Sequence, residues 1–207
     1  MDKREHVRSL VEDDYCRKLL QKIQKQIHLL EKLQKEYQGE LEEIYDSLHP
    51  GRKRLIEPMI KPVNTIIREF ENITYVGKEF DASDDSAFYT IKGERVRSKS
   101  EVLIANELFR NGIPYHYELP IHLRSRDRTI TIYPDFTALN KRTGRKYLLE
   151  HLGKMDDPEY NEITMLKLNT FEKNNILLGR DLILLHETKK IPLDTRVITS
   201  YINTYLL

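Results

Sequence analysis

The sequence predicts an α/β protein with a long helical N-terminal extension, and three observations support this prediction. Residues 5 to 48 contain no proline and one glycine, Gly39, and their apolar residues recur mostly every three or four positions, which is the period of a helix. From Arg97 onward, helical and alternating apolar segments follow one another, which predicts a mixed central sheet flanked by helices. The polar stretch Asp81 to Ser86 separates the two regions and reads as a loop.

The apolar stripe of the N-terminal helix needs a covering surface, because so polar a helix cannot bury a stripe of this length by itself. His49-Pro50-Gly51 ends the helical pattern. Three kinds of cover remain open: another part of this chain, the same helix of a second copy in a coiled-coil homodimer, or a different protein partner. The stripe consists of Leu10, Tyr15, Leu19, Ile23, Ile27, Leu30, Leu33, Tyr37, Leu41, Ile44 and Leu48.

The predicted organisation is a helical, coiled-coil-like region over residues 1–75, a linker over 76–94 and an α/β domain over 95–207. A second helix of the first region is expected near residues 63 to 71. The α/β domain is expected to contain, in order, a helix at 98–110, strands at 115–123, 129–136 and 146–152, a helix at 159–174, a strand at 181–186 and a helix at 194–205. Residues 124 to 128 are expected to form a hairpin turn between the first two strands.

Charge and composition narrow the classes of function. The 34 Lys and Arg residues nearly balance the 33 Asp and Glu residues, for a net charge of +1, so any nucleic-acid-binding surface is local rather than a general basic coat. Cys16 is the one cysteine, which excludes an internal disulfide and fits a reducing compartment. The sequence contains no apolar run of about 18 residues and no apolar signal region at its start. We therefore expect a soluble, cytoplasmic protein.

Two carboxylates follow or end successive predicted strands. Asp135 lies in Tyr133-Pro134-Asp135-Phe136, and Glu150 lies in Glu150-His151 on the third strand. Such hard oxygen ligands suit Mg²⁺ or Mn²⁺, which activate water against a phosphodiester. Strand alternation places Glu150 between leucines, where an unpaired carboxylate is costly to bury; a metal, a basic partner or an open strand end would each relieve that cost. An Asp after a proline is also a common turn or cap residue.

Glu101 and Lys167 each have two interpretations. Glu101 completes Ser98-Lys99-Ser100-Glu101, which fits a capping box, yet a carboxylate in the first turn of a helix can also face a cleft. Lys167 shares a helix face with Tyr160, Ile163 and Phe171. Its ammonium group either extends outward to water or points into the acidic cleft, where it would stabilise charge developing on a phosphate.

Several other chemistries lack their motifs. His116, His122, His151 and His186 lie singly on predicted strands, without the spacing of a zinc site. His151 is expected to face away from Glu150, in a packing or supporting hydrogen-bond role. The sequence also contains no glycine-rich phosphate loop and no Gly-x-Ser-x-Gly elbow, which argues against nucleotide hydrolysis and serine esterase chemistry.

The order of these motifs resembles the PD-(D/E)XK nuclease superfamily over about residues 95 to 205. The resemblance rests on the strings from Gly93 to Glu101, from Tyr133 to Phe136 and from Glu150 to Gly153, in a helix–strand–strand–strand–helix–strand order. They are similar to those of a bacterial branch of the superfamily with RecB-like features and a helical N-terminal region. The resemblance implies a restriction-endonuclease-like core and a metal-dependent nuclease, with DNA as the expected substrate.

The resemblance also implies roles for individual residues. Asp135, Glu150 and the backbone carbonyl of His151 are expected to bind Mg²⁺ or Mn²⁺, with Glu101 as the acid of the first helix. The metal would lower the pKa of a bound water and neutralise charge on the scissile phosphate. The superfamily pattern carries a lysine two residues after the second acid, where this chain has Leu152.

Two lysines are candidates to replace that missing charge. Lys167 is the preferred one, because Lys167-x-x-x-Phe171 falls where RecB-like members carry Gln-x-x-x-Tyr. Lys154, just past the third strand, is the other.

Arg95, Arg97 and Lys99 lie close to Glu101 in the sequence. They are expected either to hold phosphates along the path of the nucleic acid or to form an exposed basic loop. A homodimer through the N-terminal helices would present two active sites to two strands. Two alternative functions remain: a catalytically inactive nucleic-acid-binding module that keeps the nuclease fold, and a coiled-coil protein that binds a protein partner.

Overall fold

The computed structural model describes residues 3–36, 41, 44–45, 47–80, 87–125 and 128–207. The chain divides into two units, Met1–Pro62 and Val63–Leu207, so the helix at residues 63–71 belongs to the second unit. The predicted loop at 81–86 lies outside the described residues, as do 37–40, 42–43 and 46 of the predicted N-terminal helix. No helix in the described part of the chain is both long and apolar enough to cross a membrane.

The first unit contains the long helix α1, Lys3–Glu36, and the short helix α2, Pro50–Lys53. Intrahelical ion pairs such as Arg8–Glu12, 2.8 Å apart, lie on the polar surface of α1, where each stabilises a helix by a few tenths of a kcal/mol at most. The apolar stripe is exposed along α1, with Leu10 57% and Leu30 64% exposed. Its hydrophobic surface is therefore available to a partner.

The second unit has mixed α/β composition, as the sequence predicts. Its described elements are α3 Val63–Glu71, β1 Phe88–Tyr89, β2 Arg95–Val96, α4 Lys99–Arg110, β3 Tyr115–Tyr117, β4 Ile121–Ser125, β5 Arg128–Ile132, β6 Phe136–Leu139, β7 Lys146–Leu152, α5 Pro158–Lys173, β8 Leu182–His186 and α6 Thr195–Tyr205.

The central sheet has the strand order β3-β6-β7-β8. Neighbouring strands are antiparallel from β3 to β7, and β7 and β8 are parallel. The chain between β7 and β8 contains α5, which is the usual way to connect two parallel strands. The remaining strands form two separate antiparallel pairs, β1-β2 and β4-β5.

Two predicted strands are each divided in the structure, and this part of the prediction is wrong. The strand expected at 115–123 is interrupted after Tyr117 by Glu118, whose φ is +49°, and by Pro120. The strand expected at 129–136 is interrupted before Pro134. A left-handed residue and a proline both end regular pairing, so β4 and β5 leave the central sheet as a hairpin. Strands β1 and β2 lie in a segment predicted mainly as a linker.

The helices begin where the sequence supplies capping side chains. The Ser98 hydroxyl accepts the amide of Glu101 at the start of α4. Asp157 accepts the amides of Glu159 and Tyr160 at the start of α5. These contacts satisfy backbone donors that a helix leaves unpaired in its first turn, and they fix the positions of both helices that carry candidate site residues.

The core lies on both faces of the central sheet. Leu149 of β7 packs with Ile104 of α4 and Ile198 of α6. Leu148, its neighbour in β7, packs with Phe171 of α5 and Leu123 of β4. Because successive strand residues point to opposite faces, α4 and α6 cover one face, while α5 and the β4–β5 hairpin cover the other.

Candidate active site

The antiparallel pairing of β6 and β7 brings the two strand-end carboxylates together. Phe136 is the register partner of Leu149, and continuing this register by one residue places Asp135 opposite Glu150, on the face that α5 covers. Opposite residues in an antiparallel pair have Cβ atoms about 4.5 to 5.5 Å apart. The Oδ2 atom of Asp135 accepts the backbone amide of His151 at 2.6 Å, which fixes this carboxylate at the end of the sheet.

Both carboxylates are costly to ionise in their surroundings. Burial raises the pKa of Glu150, and the ammonium group of Lys167 acts in the opposite direction. Burial, followed by the charge of Glu150, raises the pKa of Asp135 well above its ordinary value. The Oε1 atom of Glu150 is buried and has no hydrogen-bond partner among the described residues. A cation at this position would relieve both costs.

Lys167 points into this acidic pair. Its Nζ atom lies 2.6 Å from Oε2 of Glu150, and it also lies 5.9 Å from the ring centroid of Phe171. The side chain of Lys167 is 31% exposed, so the ammonium group lies between the carboxylate and water. Of its two interpretations, the structure agrees with the one in which the lysine enters the cleft.

Glu101 at the start of α4 is held by three donors. Its Oε2 atom accepts the amide of Arg97 at 2.9 Å and the hydroxyl of Tyr117 at 2.7 Å, and its Oε1 atom accepts the Ser98 hydroxyl at 2.9 Å. The carboxylate therefore caps the helix through the amide of Arg97, one residue earlier than in a capping box. The charge of Glu101 also raises the pKa of Asp135, so this residue acts electrostatically on the same site.

Among the described residues, no group of three or more His, Cys, Asp and Glu side chains is arranged to hold a metal ion. Glu101, Asp135 and Glu150 therefore do not form a three-carboxylate metal site. The side chains that fit Mg²⁺ are the paired carboxylates Asp135 and Glu150. Mg²⁺ commonly binds one or two carboxylates and keeps several waters or substrate oxygens. The carbonyl of His151 remains a ligand implied by the resemblance.

The two candidate lysines differ in position. Leu152, at the motif position, is buried and 7% exposed, and it ends β7. Lys154 follows in the turn after β7 and is exposed. Of the two lysines, Lys167 on α5 is the one that contacts a carboxylate of the site among the described residues.

His151 lies on the opposite face of the sheet from Glu150, as predicted. Its Nε2 atom is 3.3 Å from Oε1 of Glu187. This contact is not a hydrogen bond. Glu187 accepts the Ser100 hydroxyl at 2.6 Å and the Leu193 amide at 2.9 Å. Burial lowers the pKa of His151, which favours the neutral ring. This cluster ties the end of β8 to α4 behind the carboxylate pair.

Sequence reasoning missed three residues around the site. Glu187 directly follows β8, and the parallel pairing of Leu152 with His186 brings it to the end of β7. Tyr117 donates to Glu101, and burial raises its pKa, so it stays a donor. Burial also raises the pKa of Tyr160 on α5, as do the charges of Asp135 and Glu150. Only the parallel β7–β8 pairing, inferred from the α5 crossover, would have pointed to Glu187.

The predicted phosphate-binding residues have different surroundings. Arg97 pairs with Glu118 through Nε and Nη2, at 2.7 and 3.3 Å, and donates to the carbonyls of Lys78 and Glu79. The guanidinium groups of Arg95 and Arg97 each lie 4.3 Å from the ring centroid of Phe80. These contacts hold the segment before α4 together. Lys99 is exposed.

No protein-family model matches the chain, and no curated protein sequence matches it. The interpretation of the site therefore depends on the contacts of its own residues.

Proposed function

We propose that this protein is a metal-dependent nuclease that hydrolyses phosphodiester bonds of nucleic acid, with DNA as the substrate and a restriction-endonuclease-like core as the fold. One observation carries the proposal. The β6–β7 register runs to Phe136 and Leu149, next to Asp135 and Glu150, and the charge of Glu150 raises the pKa of Asp135. Lys167 reaches this carboxylate pair from α5, 2.6 Å from Glu150. Two acids and a lysine at one end of the sheet are the charges that phosphodiester hydrolysis needs.

The donor set fits Mg²⁺ or Mn²⁺. The ligands are hard carboxylate oxygens, and Oε1 of Glu150 is buried without a hydrogen-bond partner among the described residues. A bound divalent ion supplies a water of lowered pKa and neutralises charge on the scissile phosphate. In this proposal Asp135 and Glu150 hold the ion, aided by the carbonyl of His151, and Glu101 acts on the site through its charge.

The chain itself supplies positioning and charge. The amide of His151 fixes the orientation of Asp135. Lys167 places a positive charge beside Glu150, where it would also bind a non-bridging phosphate oxygen and stabilise the charge that develops in the transition state. Three donors hold Glu101, so its charge stays fixed near the pair. Lys167 thereby replaces the lysine that the superfamily carries where this chain has Leu152.

We also propose that the partner of α1 is a second copy of this chain. The described part of the stripe leaves Ile23, Ile27 and Leu30 exposed. Their four- and three-residue spacing suits packing between two helices. Such a homodimer would carry two carboxylate pairs, one for each strand of a duplex.

Cleavage of labelled linear and circular DNA tests the proposed activity. We expect cleavage with Mg²⁺ or Mn²⁺, none in excess chelator, and none by an Asp135→Ala variant. Cleavage of the circle as well as of the linear molecule would identify an endonuclease. A wild-type protein that binds DNA without cutting it under any of these conditions would support the inactive binding module, with Leu152 as the cause. A wild-type protein that neither binds nor cuts DNA would support the protein-interaction alternative.

A further inference from the structure

A second polar site lies between the β4–β5 hairpin and α5. The two elements enclose a groove of about 740 Å³. Arg124 and Arg128 line it from the hairpin, and Asn169, Thr170 and Lys173 line it from the helix. The groove is distinct from the carboxylate pair, and the proposed reaction leaves it without a role.

The groove concentrates positive charge in a chain that is nearly neutral. Among the described residues, its lining includes three cations, Arg124, Arg128 and Lys173, and no carboxylate, whereas the whole chain has 34 basic and 33 acidic residues. All three cations are exposed. Among the described residues, none of the three side chains forms an ion pair or a hydrogen bond, in contrast to Arg145 and Arg180, which both pair with Asp181. Unpaired cations around one groove are what a polyanion requires.

The two walls of the groove are fixed to each other. The side chain of Asn174 accepts the backbone amide of Arg124 at 2.8 Å and donates to the Arg124 carbonyl at 2.9 Å. Beneath this contact, Leu123 of β4 and Phe171 of α5 belong to one buried cluster. The hairpin therefore cannot move away from the helix without losing these bonds and this packing, so the backbone positions of Arg124 on the hairpin and Lys173 on the helix are held close together.

Helix α5 connects the groove to the acidic pair. Lys167 faces Glu150, Thr170 follows it by one turn on the groove side, and Lys173 follows by six residues, roughly 9 Å along the helix axis. A DNA strand carries one charge per roughly 3.4 Å of axial rise, so this distance corresponds to two or three nucleotides. A strand with its scissile phosphate at Lys167 therefore has neighbouring phosphates within reach of the groove.

We propose that this groove binds the sugar–phosphate backbone of nucleic acid next to the scissile phosphate. Arg124, Arg128 and Lys173 bind phosphates, and Asn169 provides a neutral donor, so recognition is independent of base sequence. The role of the groove in cleavage rests on the proposed nuclease function. DNA binding by the groove does not depend on that function, so binding and cleavage can be tested separately.

Binding by the full-length protein in excess chelator tests the groove without cleavage. Fluorescence anisotropy with labelled duplex and single-stranded DNA compares wild type, the triple variant Arg124→Gln/Arg128→Gln/Lys173→Gln and the matched variant Arg142→Gln/Lys189→Gln/Lys190→Gln. The matched variant removes the same charge from exposed residues outside the groove. For three lost phosphate contacts, we expect the negative slope of log K against log salt to decrease in magnitude by about 2.7 with duplex and by about 2.1 with single strands. The matched variant should keep the wild-type slope.

Three outcomes would overturn the proposal. The first is equal slopes and affinities for the groove variant and the matched variant, and the second is no DNA binding by wild type. The third is displacement of DNA by millimolar inorganic phosphate, beyond that of chloride at equal ionic strength, which would assign the groove to a small phosphate ligand. Cleavage with Mg²⁺ then separates the two claims. The groove variant should cut but need more DNA for half-maximal cleavage. Asp135→Ala should bind DNA in chelator like wild type and not cut it when Mg²⁺ is present. Unchanged thermal unfolding midpoints would show that both triple variants remain folded.

Discussion

At the scale of single residues, the two oxygens of Glu150 have different surroundings. Oε2 receives the ammonium group of Lys167 at 2.6 Å, whereas Oε1 is buried with no hydrogen-bond partner among the described residues. A buried carboxylate oxygen without a donor is rare in folded proteins because its desolvation is not compensated. A divalent cation bound between Glu150 and Asp135, as we propose, would satisfy the unpaired oxygen.

Lys167 should be essential to cleavage and Lys154 should not. We expect Lys167→Met to lower the rate of DNA cleavage at saturating substrate by about 100- to 1,000-fold, the effect of losing one preorganised charge at a transition state. Lys154→Met is the matched control, because Lys154 is exposed in the turn after β7. Single-turnover rates of the two folded variants provide the comparison. A larger loss in Lys154→Met would assign the missing lysine to the turn.

Asp181 should contribute to stability in a pH-dependent way. Burial acts to raise its pKa, but the amide of Leu177 and the charges of Arg180 and Arg145 leave the pKa below its ordinary value. A lowered pKa in the folded state gives stability that is present above the unfolded pKa and is lost as the pH falls through the folded pKa. Asp181→Asn should therefore lower the free energy of unfolding by about 1 kcal/mol at neutral pH.

Urea unfolding at neutral pH and at about pH 3, below the ordinary carboxyl range, measures how the free energy of unfolding depends on pH. The difference in free energy of unfolding between wild type and Asp181→Asn should be smaller at the acidic pH. Asp156→Asn, a change at an exposed aspartate, should have nearly the wild-type free energy of unfolding at both pH values. If Asp181→Asn lost more free energy of unfolding at acidic pH than at neutral pH, the pKa of Asp181 would not be lowered in the folded protein.

At the scale of elements, the register of one strand pair assembles the site. Strand β7 extends beyond the first residue of β6, so His151 donates its amide to the side chain of Asp135 rather than to a β6 carbonyl. The alternation of leucines with Glu150 predicts which face the acid occupies, and the structure agrees. The alternating pattern continues on both sides of each break, so it predicted two unbroken strands. Pro120 and Pro134 were the sequence signals of the breaks, whereas the left-handed conformation of Glu118 had no such signal.

The proposed homodimer forms through the apolar stripe of helix α1. We expect wild type to have twice the monomer mass in light scattering at micromolar concentration. A triple variant at exposed positions of the stripe, Ile23→Gln/Ile27→Gln/Leu30→Gln, should have the monomer mass, because an apolar seam drives such association. Leu29→Gln changes an exposed leucine outside the stripe and should leave the mass unchanged. A monomeric wild type would exclude this partner.

At the scale of the whole molecule, the acidic and basic clusters lie in different places. A net charge of +1 hides a carboxylate pair at one end of the central sheet and a groove beside α5 whose three cations have no ion-pair partner among the described residues. Composition predicted that any binding surface would be local, but it could not say where. Arg95 and Arg97 are close to Glu101 in sequence, yet they contact Phe80 and Glu118. The groove brings together residues about 45 positions apart, which sequence proximity could not reveal.

The central claim is that Asp135 binds the metal that drives cleavage, and replacing its carboxylate by a thiolate tests this most directly. Thiolates favour softer ions such as Zn²⁺ over Mg²⁺. We predict that Asp135→Cys does not cut labelled DNA with Mg²⁺ and regains cutting with Zn²⁺, while Asp135→Ser cuts with neither. Wild-type rates of Mg²⁺-dependent cleavage by either variant would contradict the account.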